Sequence, residues 1–250
     1  MGGGRGAGGM TEGVRFLVTG FGKFPGVPAN PTEVLVNGLR GNRTSSPNQE
    51  DQEATNSGHE NHHGPNLVSC EVLKVSARTV EDHLGELEVL VSSGGGGEAN
   101  AASSSYVVVH FGVDVCARTF KLEKRAVNEA NFRLPDEDGF QPRCAPVCPD
   151  AGDDLTSCLH TKLDVDRISA QLREDGFDCQ VSMDAGRYVC NYTYFASLKR
   201  FEKTSGLYSL FVHVPSFNAI DAETQAAFVQ RLFHRLAEDA SAKAAEGASA

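Results

Sequence analysis

The sequence has no long apolar run and few basic residues, and each shortage excludes a class of protein. None of its apolar stretches approaches the ~20 residues that a helix needs to cross a bilayer, so we expect no membrane partner. Lysine and arginine number 23 against 33 acidic residues, and the formal net charge is -10. Binding to nucleic acid depends on basic side chains that neutralise phosphates, so the sequence predicts no nucleic-acid partner.

The chain also shows no targeting signal and no framework of paired cysteines. Its first residues, MGGGRGAGGMTEG, lack the apolar core of ~7–15 residues that marks a secretory signal. The cysteines number 7 and are loosely spaced. An odd, loose set is typical of reduced thiols in a cytosolic protein rather than of disulfides. We therefore expect a cytoplasmic protein.

Signatures of bound metals and nucleotides are incomplete. Cys144 and Cys148 form a CxxxC with His160 downstream, but no fourth ligand stands at zinc spacing. Three histidines between positions 59 and 63 lie in a polar segment that gives no reason for a built site. The loop Thr19–Gly26, TGFGKFPG, has neither the GxGxxG nor the GK[ST] spacing of a phosphate-binding loop. The sequence predicts no metal and no nucleotide cofactor.

Composition divides the chain into one folded domain and several low-complexity segments. Residues 41–65 and 92–105 are polar or rich in Gly and Ser, so they cannot bury enough apolar surface to offset the entropy of ordering. We interpret them as inserts, and we expect residues 1–13 and 241–250 to be flexible tails. The span 14–240 that remains has the size of a single domain.

Strand and helix patterns alternate along this domain. The continuous apolar run Tyr106–Val113, YVVVHFGV, is typical of a strand that is buried on both faces. Asn30–Leu39 reads as a helix, because Asn30 is a good N-cap and Pro31 suits the first helical position. The alternation predicts an α/β fold, a three-layer α/β/α sandwich with a mostly parallel central sheet. Ligands of such sheets gather at the carboxyl ends of the strands.

Three residues that suit thiol chemistry follow predicted strands. Cys190 opens a helical segment, where the N–H groups of the first turn stabilise a thiolate. His213 lies at the end of the strand Leu210–Val214, and Glu123 lies in a charged stretch beyond another strand. Each has a plain alternative, which is core packing for Cys190 and His213 and a solvated surface for Glu123. Because parallel strands end at one edge, we expect the three to meet there as a nucleophile, a base and an acidic partner. This predicts a thiol hydrolase.

The chain resembles the pyroglutamyl-peptidase I family in four segments, which occur in the order VTGFGKFPGVPANPTE, ARTFKLEKRAVN, DAGRYVCNYTYFASL and SLFVHVP. Members of this family are cysteine peptidases that remove pyroglutamate from the N-terminus of peptides. The resemblance covers residues 14–236 apart from the two inserts. The segments NEANFRLPDE and AIDAETQ are most similar to the plant and algal branch of the family.

The resemblance implies a role for each of the three residues that suit thiol chemistry. It makes Cys190 the nucleophile, His213 the base and Glu123 the acidic partner. It implies peptides with an N-terminal pyroglutamate as substrates and no cofactor, and it is compatible with a homo-oligomer. Two alternatives stay open, namely a catalytically inactive binding protein on the same scaffold and a nucleoside phosphorylase-like enzyme.

The resemblance also implies a pocket for the pyrrolidone ring of the substrate. Phe21 and Phe24 fall where the family walls this pocket. Tyr188 and Val189 fall where the family lines it just before the nucleophile. Arg133 falls at a family arginine near the active centre.

The chain departs from the family pattern at two places in this pocket. Val113 stands where bacterial members have a glutamine, so a side-chain hydrogen bond from this position to the substrate is not expected. The first loop reads GKFPG where many members read GPFGG. We therefore expect Lys23 and Pro25 to alter the rim of the pocket.

Overall fold

The computed structural model describes residues 13–44, 64–94, 105–151 and 154–247. The strands in these ranges are β1 (Val14–Phe21), β2 (Leu67–Leu73), β3 (Ser105–Val113), β4 (Phe120–Glu123), β5 (Arg125–Val127), β6 (Cys158–His160), β7 (Cys179–Ser182) and β8 (Leu207–Val214). The α-helices are α1 (Pro31–Thr44), α2 (Ala77–Ser92), α3 (Val165–Glu174), α4 (Val189–Arg200) and α5 (Ala222–Gly247).

Six strands form one central sheet in the order β2-β1-β3-β8-β4-β7, and β5 pairs with β6 in a separate ribbon. The strands β2, β1, β3 and β8 run parallel, whereas β4 is antiparallel to β8 and parallel to β7. One face packs against α1, α3 and α5 through buried residues such as Val36, Ile168 and Phe228. The other face packs against α2 and α4 through residues such as Leu84 and Tyr194. The predicted three-layer sandwich with a mostly parallel sheet is confirmed.

The neighbours β3 and β8 lie in the middle of the sheet and are buried on both faces, as their apolar sequences predict. In β3, Val109 packs into the core beneath α1 and α5, whereas Val108 packs into the core beneath α2 and α4. The two strands stay in register to their carboxyl ends, where Gly112 pairs with His213. This edge of the sheet is where the candidate site is built.

The directions of β4 and β7 differ from the sequence-based expectation. Only Asp114–Thr119 connects β3 to β4, and this is too short for a crossover helix, so the chain returns from the edge at which β3 ended. The expectation that three parallel strands carry Glu123, Cys190 and His213 to one carboxyl edge is therefore wrong. Glu123 instead lies within the sheet, opposite Phe211 of β8.

Two helices extend into segments that the composition assigns to an insert and a tail. α1 continues to Thr44, and α5 continues to Gly247 through an alanine-rich stretch that favours helix. Most of the predicted N-terminal tail and of both inserts, including His59, His62 and His63, lies outside the described residues. Across the described ranges, no helix combines the length and the apolar character that crossing a membrane requires.

Candidate active site

Cys190 lies in the first turn of α4, which starts at Val189. The residue that precedes the helix, Tyr188, has an extended backbone, and its side chain makes no capping hydrogen bond. Because the first N–H groups of a helix have no acceptor within it, the amides beside Cys190 are available to a developing oxyanion. Cys190 is partly exposed, so a substrate can reach the sulfur.

The residue after the candidate nucleophile ties α4 to the ribbon strand β5. The Asn191 side chain accepts a hydrogen bond from Val127 N–H at 2.9 Å, and it donates to the carbonyls of Val127 at 2.8 Å and Glu129 at 2.9 Å. Asn191 is fully buried. These three bonds fix the start of α4, and with it the backbone that carries Cys190.

The loop before α4 is held by an arginine. Arg187 donates from Nε to Glu129 at 2.9 Å and from Nη1 to Asp184 at 2.6 Å. Gly186 has a φ of 80°, a left-handed conformation that favours glycine. The motif DAGRYVC therefore has a physical reason for its glycine and its arginine, which turn the chain from β7 into the helix.

His213 and Glu123 form a buried pair between adjacent strands. Nδ1 of His213 lies 2.8 Å from Oε1 of Glu123. Glu123 pairs across the strands with Phe211, which is two residues before His213, so the two side chains share a face of the sheet. Glu123 is 0% exposed and His213 is 7% exposed. The geometry leaves Nε2 of His213 as the nitrogen that can exchange a proton with another group.

The surroundings of His213 stabilise its protonated form. Burial disfavours the charged ring, but the neighbouring Cys190 sulfur and the Glu123 carboxylate outweigh burial and raise the pKa of His213 to about 10. At neutral pH the imidazole therefore holds a proton. The sulfur that raises this pKa belongs to Cys190, so all three predicted catalytic residues come together.

A glycine makes room for the sulfur against the sheet. A Cβ atom added at Gly112 would lie 2.6 Å from Cζ of Phe211 and 3.2 Å from Sγ of Cys190. No real Cβ contact is as short as the first of these distances, so any side chain here would displace its neighbours. Gly112 thus sets the depth at which Cys190 rests over β3.

A small cavity of about 20 Å³ opens beside the sulfur. It is lined by Phe21, Phe24, Asn30, Val75, Gly112, Val113, Tyr188, Val189 and Cys190. The lining includes all four residues that the resemblance assigns to the ring pocket, namely Phe21, Phe24, Tyr188 and Val189. A water molecule needs ~10–15 Å³ and a benzene-sized ligand about 150 Å³. The cavity must therefore widen before it can hold a five-membered ring.

Part of this lining has no signal in the sequence, and one predicted site residue lies elsewhere. The sequence marks Asn30 only as a helix cap and does not distinguish Val75 or Gly112. Arg133 is exposed and is not among the residues that line the cavity. The loop that carries Arg133 nevertheless reaches the site, because Tyr188 donates a hydrogen bond from its hydroxyl to the Pro135 carbonyl at 3.2 Å.

The loop that carries the two phenylalanines closes in a tight turn. Phe24 and Val27 bridge through backbone hydrogen bonds of 3.2 and 2.8 Å, and Gly26 has a φ of 88°. Pro25 at the second position and glycine at the third are typical of a type II turn. The GKFPG sequence, in which the proline departs from the family pattern, therefore forms a rigid rim.

A larger cavity of about 150 Å³ lies near the start of β8. It is lined by Leu159, His160, Lys162, Leu198, Phe201, Glu202, Leu207, Tyr208 and Ser209, and contains none of the three predicted catalytic residues. Among the residues that the structure describes, no group of three His, Cys, Asp or Glu side chains is arranged to hold a metal ion. The smaller cavity beside Cys190 is therefore the candidate site.

Comparison with known proteins gives consistent matches. Residues 97–233 match the family described as Pyroglutamyl peptidase. This range contains Glu123, Cys190 and His213, whereas Phe21 and Phe24 precede it. In sequence, the Pyrrolidone-carboxylate peptidase of Bacillus subtilis is 34% identical over 94 residues, which are 37% of this chain and 42% of that protein. The chain thus spans less than half the length of that relative.

Two further matches extend over most of the chain. The Pyrrolidone-carboxylate peptidase of Pyrococcus furiosus is 26% identical over 211 residues, which are 81% of each protein. The solved structure of the pyrrolidone carboxyl peptidase from Thermococcus litoralis has a TM-score of 0.68 and 21% identity, and the match covers 90% of this chain and 93% of that one. The structural match shows that the fold is shared.

Proposed function

The chain belongs to the pyroglutamyl peptidase family, as its motifs predict, and we propose that it is a cysteine omega peptidase that removes N-terminal pyroglutamate from peptides. The observation that carries the proposal is the buried pair of His213 and Glu123, 2.8 Å apart, beside the sulfur of Cys190. Of the three groups, Cys190 lines a cavity with aromatic walls, and the other two lie buried behind it. This combination suits covalent catalysis on an uncharged ring substrate.

The reaction proceeds through a thioester. His213 holds the proton that Cys190 releases, and the sulfur attacks the pyroglutamyl carbonyl carbon. As the C–S bond forms, the carbonyl π electrons move to oxygen, where the N–H groups at the start of α4 stabilise the charge. The intermediate then expels the amine of the next residue, which takes the proton from His213.

The second half of the reaction restores the enzyme. A water molecule gives a proton to His213 and attacks the thioester carbonyl, and the C–S bond breaks. Pyroglutamate leaves, and the Cys190–His213 pair again shares one proton. Neither half-reaction requires a metal or an organic cofactor, because the groups on the chain supply the nucleophile and the proton transfers.

Glu123 contributes to both half-reactions by orienting the imidazole ring of His213. Its contact with Nδ1 fixes the imidazole ring and directs Nε2 to the reacting groups. A carboxylate that is 0% exposed has little water to compete for the imidazole, so it also stabilises the imidazolium form. The geometry favours this role over direct contact with substrate, since Glu123 does not line the cavity.

The substrate ring fits the chemistry of the cavity walls. Pyroglutamate is a compact uncharged lactam without a free α-amino group, so the site needs apolar walls rather than a carboxylate. Phe24 and Tyr188 are only half-buried, and their rotation is the simplest way to widen the cavity. We assign Phe21, Phe24, Tyr188 and Val189 to ring binding, and Arg133 stays a prediction from the family pattern.

A fluorogenic pyroglutamyl amide tests the proposal directly. The protein should hydrolyse the amide, and iodoacetamide should abolish hydrolysis. Cys190→Ala should remove turnover, whereas Cys116→Ala, which removes an exposed thiol outside the cavity lining, should keep it. Turnover that survives Cys190→Ala would refute the assigned nucleophile.

The same assay separates the alternatives. A wild-type protein that binds a pyroglutamyl peptide without cleaving it would be the inactive binding protein on this scaffold. Phosphate-dependent cleavage of a nucleoside would instead support the phosphorylase-like reading. The family match favours neither alternative.

Two finer assignments accompany this function. We propose a cytoplasmic location, which is supported by the free thiols of Cys116, Cys144 and Cys190, since reduced thiols persist in a reducing compartment. Fractionation of cells tests this location. The predicted homo-oligomer is tested by light scattering on the purified protein.

A further inference from the structure

The candidate cavity lies where β1 and β3 separate. The strand β1 pairs with β3 only as far as Thr19 and His110, although it pairs with β2 as far as Phe21. Beyond this point Phe21 of β1 and Gly112 of β3 both line the cavity. The width of the cavity therefore depends on what holds the end of β1 away from β3.

A threonine in the first turn of α1 replaces the missing strand partner of Phe21. The N–H of Phe21 donates to Oγ1 of Thr32 at 2.9 Å, and the same hydroxyl lies 3.0 Å from the Phe21 carbonyl oxygen, to which it can donate. Thr32 is 0% exposed, so water cannot take over these bonds. The hydroxyl also lies 3.0 Å from Oδ1 of Asn30, a second acceptor for its single proton, so the bond from the Phe21 N–H is the one that Thr32 provides in either orientation.

The N-cap of α1 holds the next residue of the same loop. Nδ2 of Asn30 donates to the Gly22 carbonyl at 2.9 Å, while its Oδ1 accepts from the N–H of Thr32 at 3.1 Å. Asn30 is 1% exposed and itself lines the cavity. A helix cap needs only the second of these bonds, so the first bond has a separate consequence.

The strand β1 packs so closely against α1 that a shift of the helix would also move the end of the strand. A Cβ atom added at Gly20 would lie 2.7 Å from the Thr32 carbonyl oxygen and 2.7 Å from Cγ2 of Val36. The glycine allows the helix to approach the strand directly. The loop with Phe21 cannot shift towards β3 without breaking its bonds to the first turn of α1.

We propose that Asn30 and Thr32 are positioning residues, which clamp the end of β1 to α1 and so set the width of the ring pocket. The inference rests on the proposed function, because it takes the ring of pyroglutamate as the occupant of that pocket. The two residues act through Phe21 and Gly22, and they contribute to substrate binding rather than to the chemistry at Cys190.

Isosteric substitutions separate positioning from capping. Asn30→Asp keeps the oxygen that caps α1 but loses the N–H that holds Gly22. Thr32→Val removes the hydroxyl at nearly constant shape, and Thr32→Ser restores it. Thr224→Val is a matched control, because it removes a threonine hydroxyl that bonds to Asp221 in the first turn of α5, at an exposed position.

The variants are compared in steady-state kinetics with the fluorogenic pyroglutamyl amide, at a temperature where each is shown to be folded. We expect Asn30→Asp and Thr32→Val to raise KM by about tenfold, the effect of one lost buried hydrogen bond. The value of kcat should change little, because ground-state and transition-state binding weaken together. Thr32→Ser and Thr224→Val should behave like the wild type.

A second measurement does not depend on turnover. Iodoacetamide alkylates Cys190, and 2-pyrrolidone, which is the bare lactam ring, should protect the thiol by filling the pocket. Protection should need about tenfold more 2-pyrrolidone in Asn30→Asp and Thr32→Val. The rate of alkylation without 2-pyrrolidone is measured for each variant as its own reference, so that a weaker protection is separated from a change in the reactivity of the thiol.

The outcomes distinguish this inference from the proposed function. Unchanged KM and unchanged protection in Asn30→Asp and Thr32→Val would overturn the clamp, and so would a Thr32→Ser variant as impaired as Thr32→Val. A wild-type protein that fails to cleave the amide would overturn the peptidase function alone, provided that 2-pyrrolidone still protects and the variants weaken protection. Failure of 2-pyrrolidone to protect the wild type would overturn the ring pocket and the clamp together.

Discussion

Replacing Gly112 by alanine should reduce the stability of the fold and shift Cys190, the proposed nucleophile. The new Cβ would lie 2.6 and 2.8 Å from Cζ and Cε1 of Phe211 and 3.2 Å from Sγ of Cys190. Phe211 is fully buried, with its ring centroid 4.9 Å from that of His213 and 6.0 Å from that of Tyr194. The ring therefore has no free space into which to retreat. Overpacking of this kind costs about 1–3 kcal/mol.

Two assays follow these effects in the Gly112→Ala variant. Thermal unfolding should show a melting temperature lower by about 2–4 °C for each kcal/mol lost. Hydrolysis of the pyroglutamyl amide should lose about 10²-fold in kcat/KM, because a shift of about 1 Å at a reacting group has this effect. Gly38→Ala is the matched control. Nothing lies within 4 Å of its added Cβ in α1, and alanine in a helix is favoured by up to about 1 kcal/mol.

Wild-type melting and turnover of Gly112→Ala, together with a measurably stabilised Gly38→Ala, would contradict this prediction. That result would mean that the sulfur and the Phe211 ring do not pack against β3 as the distances indicate. A lower melting temperature with unchanged kcat/KM would still show that the added methyl group overpacks the core around Phe211. It would refute the link between that packing and the position of Cys190.

Other substitutions separate the electrostatics of the molecule from its packing. Glu123→Gln should lower the pKa of His213 and reduce kcat/KM by about 10²-fold or more, and an unchanged pH–rate profile would contradict this. The pKa of His110 is lowered by burial from 6.5 to about 3, so the folded chain keeps it neutral while the unfolded chain takes up a proton below pH 6.5. Denaturant unfolding should therefore show that this group contributes about 3 kcal/mol less stability at pH 4.5 than at pH 7. The His110→Asn variant should lose less stability over this pH range, and an equal loss in the variant would refute the assignment to His110. Phe24→Ala should raise KM by about tenfold without slowing alkylation of Cys190, and an unchanged KM would remove Phe24 from the ring pocket.

Local signals in the sequence were sufficient to predict the central strands and the start of α4. The run Tyr106–Val113 is apolar at nearly every position, is rich in valine and has the length of a strand, a combination that is typical of a strand buried on both faces. Cys190 follows a glycine-containing turn and opens a helical pattern, so its place in the first turn of α4 could be predicted. His213 lies next to the end of β8, where the parallel register with β3 brings it beside Gly112.

The strand that carries Glu123 could not be predicted in the same way. Its sequence, FKLE, alternates apolar and charged residues over only four positions, and this alternation predicts that Lys121 and Glu123 face solvent rather than the interior. The direction of β4 follows from the short connection after β3 and from the edge at which the chain re-enters the sheet. That edge depends on the position of β8, which comes later in the chain. Asn30 shows a related difficulty, because the signal for a helix cap is present in the sequence while the bond to Gly22 depends on the path of another loop.

The antiparallel return of β4 explains how a fully buried carboxylate can belong to this site. Burial of an ionised group is costly unless the charge is paired. Glu123 is 0% exposed, and its Oε2 has no hydrogen-bond partner among the described residues. The pairing of β4 with β8 brings Oε1 of Glu123 to Nδ1 of His213. Because the pKa of His213 is raised, the imidazole ring is protonated and carries the compensating positive charge. A carboxylate at the open carboxyl edge would be solvated and would hold the imidazolium less strongly. The fold thus stabilises the buried Glu123 carboxylate through His213, and the same contact keeps the imidazole ring oriented and protonated beside the sulfur of Cys190.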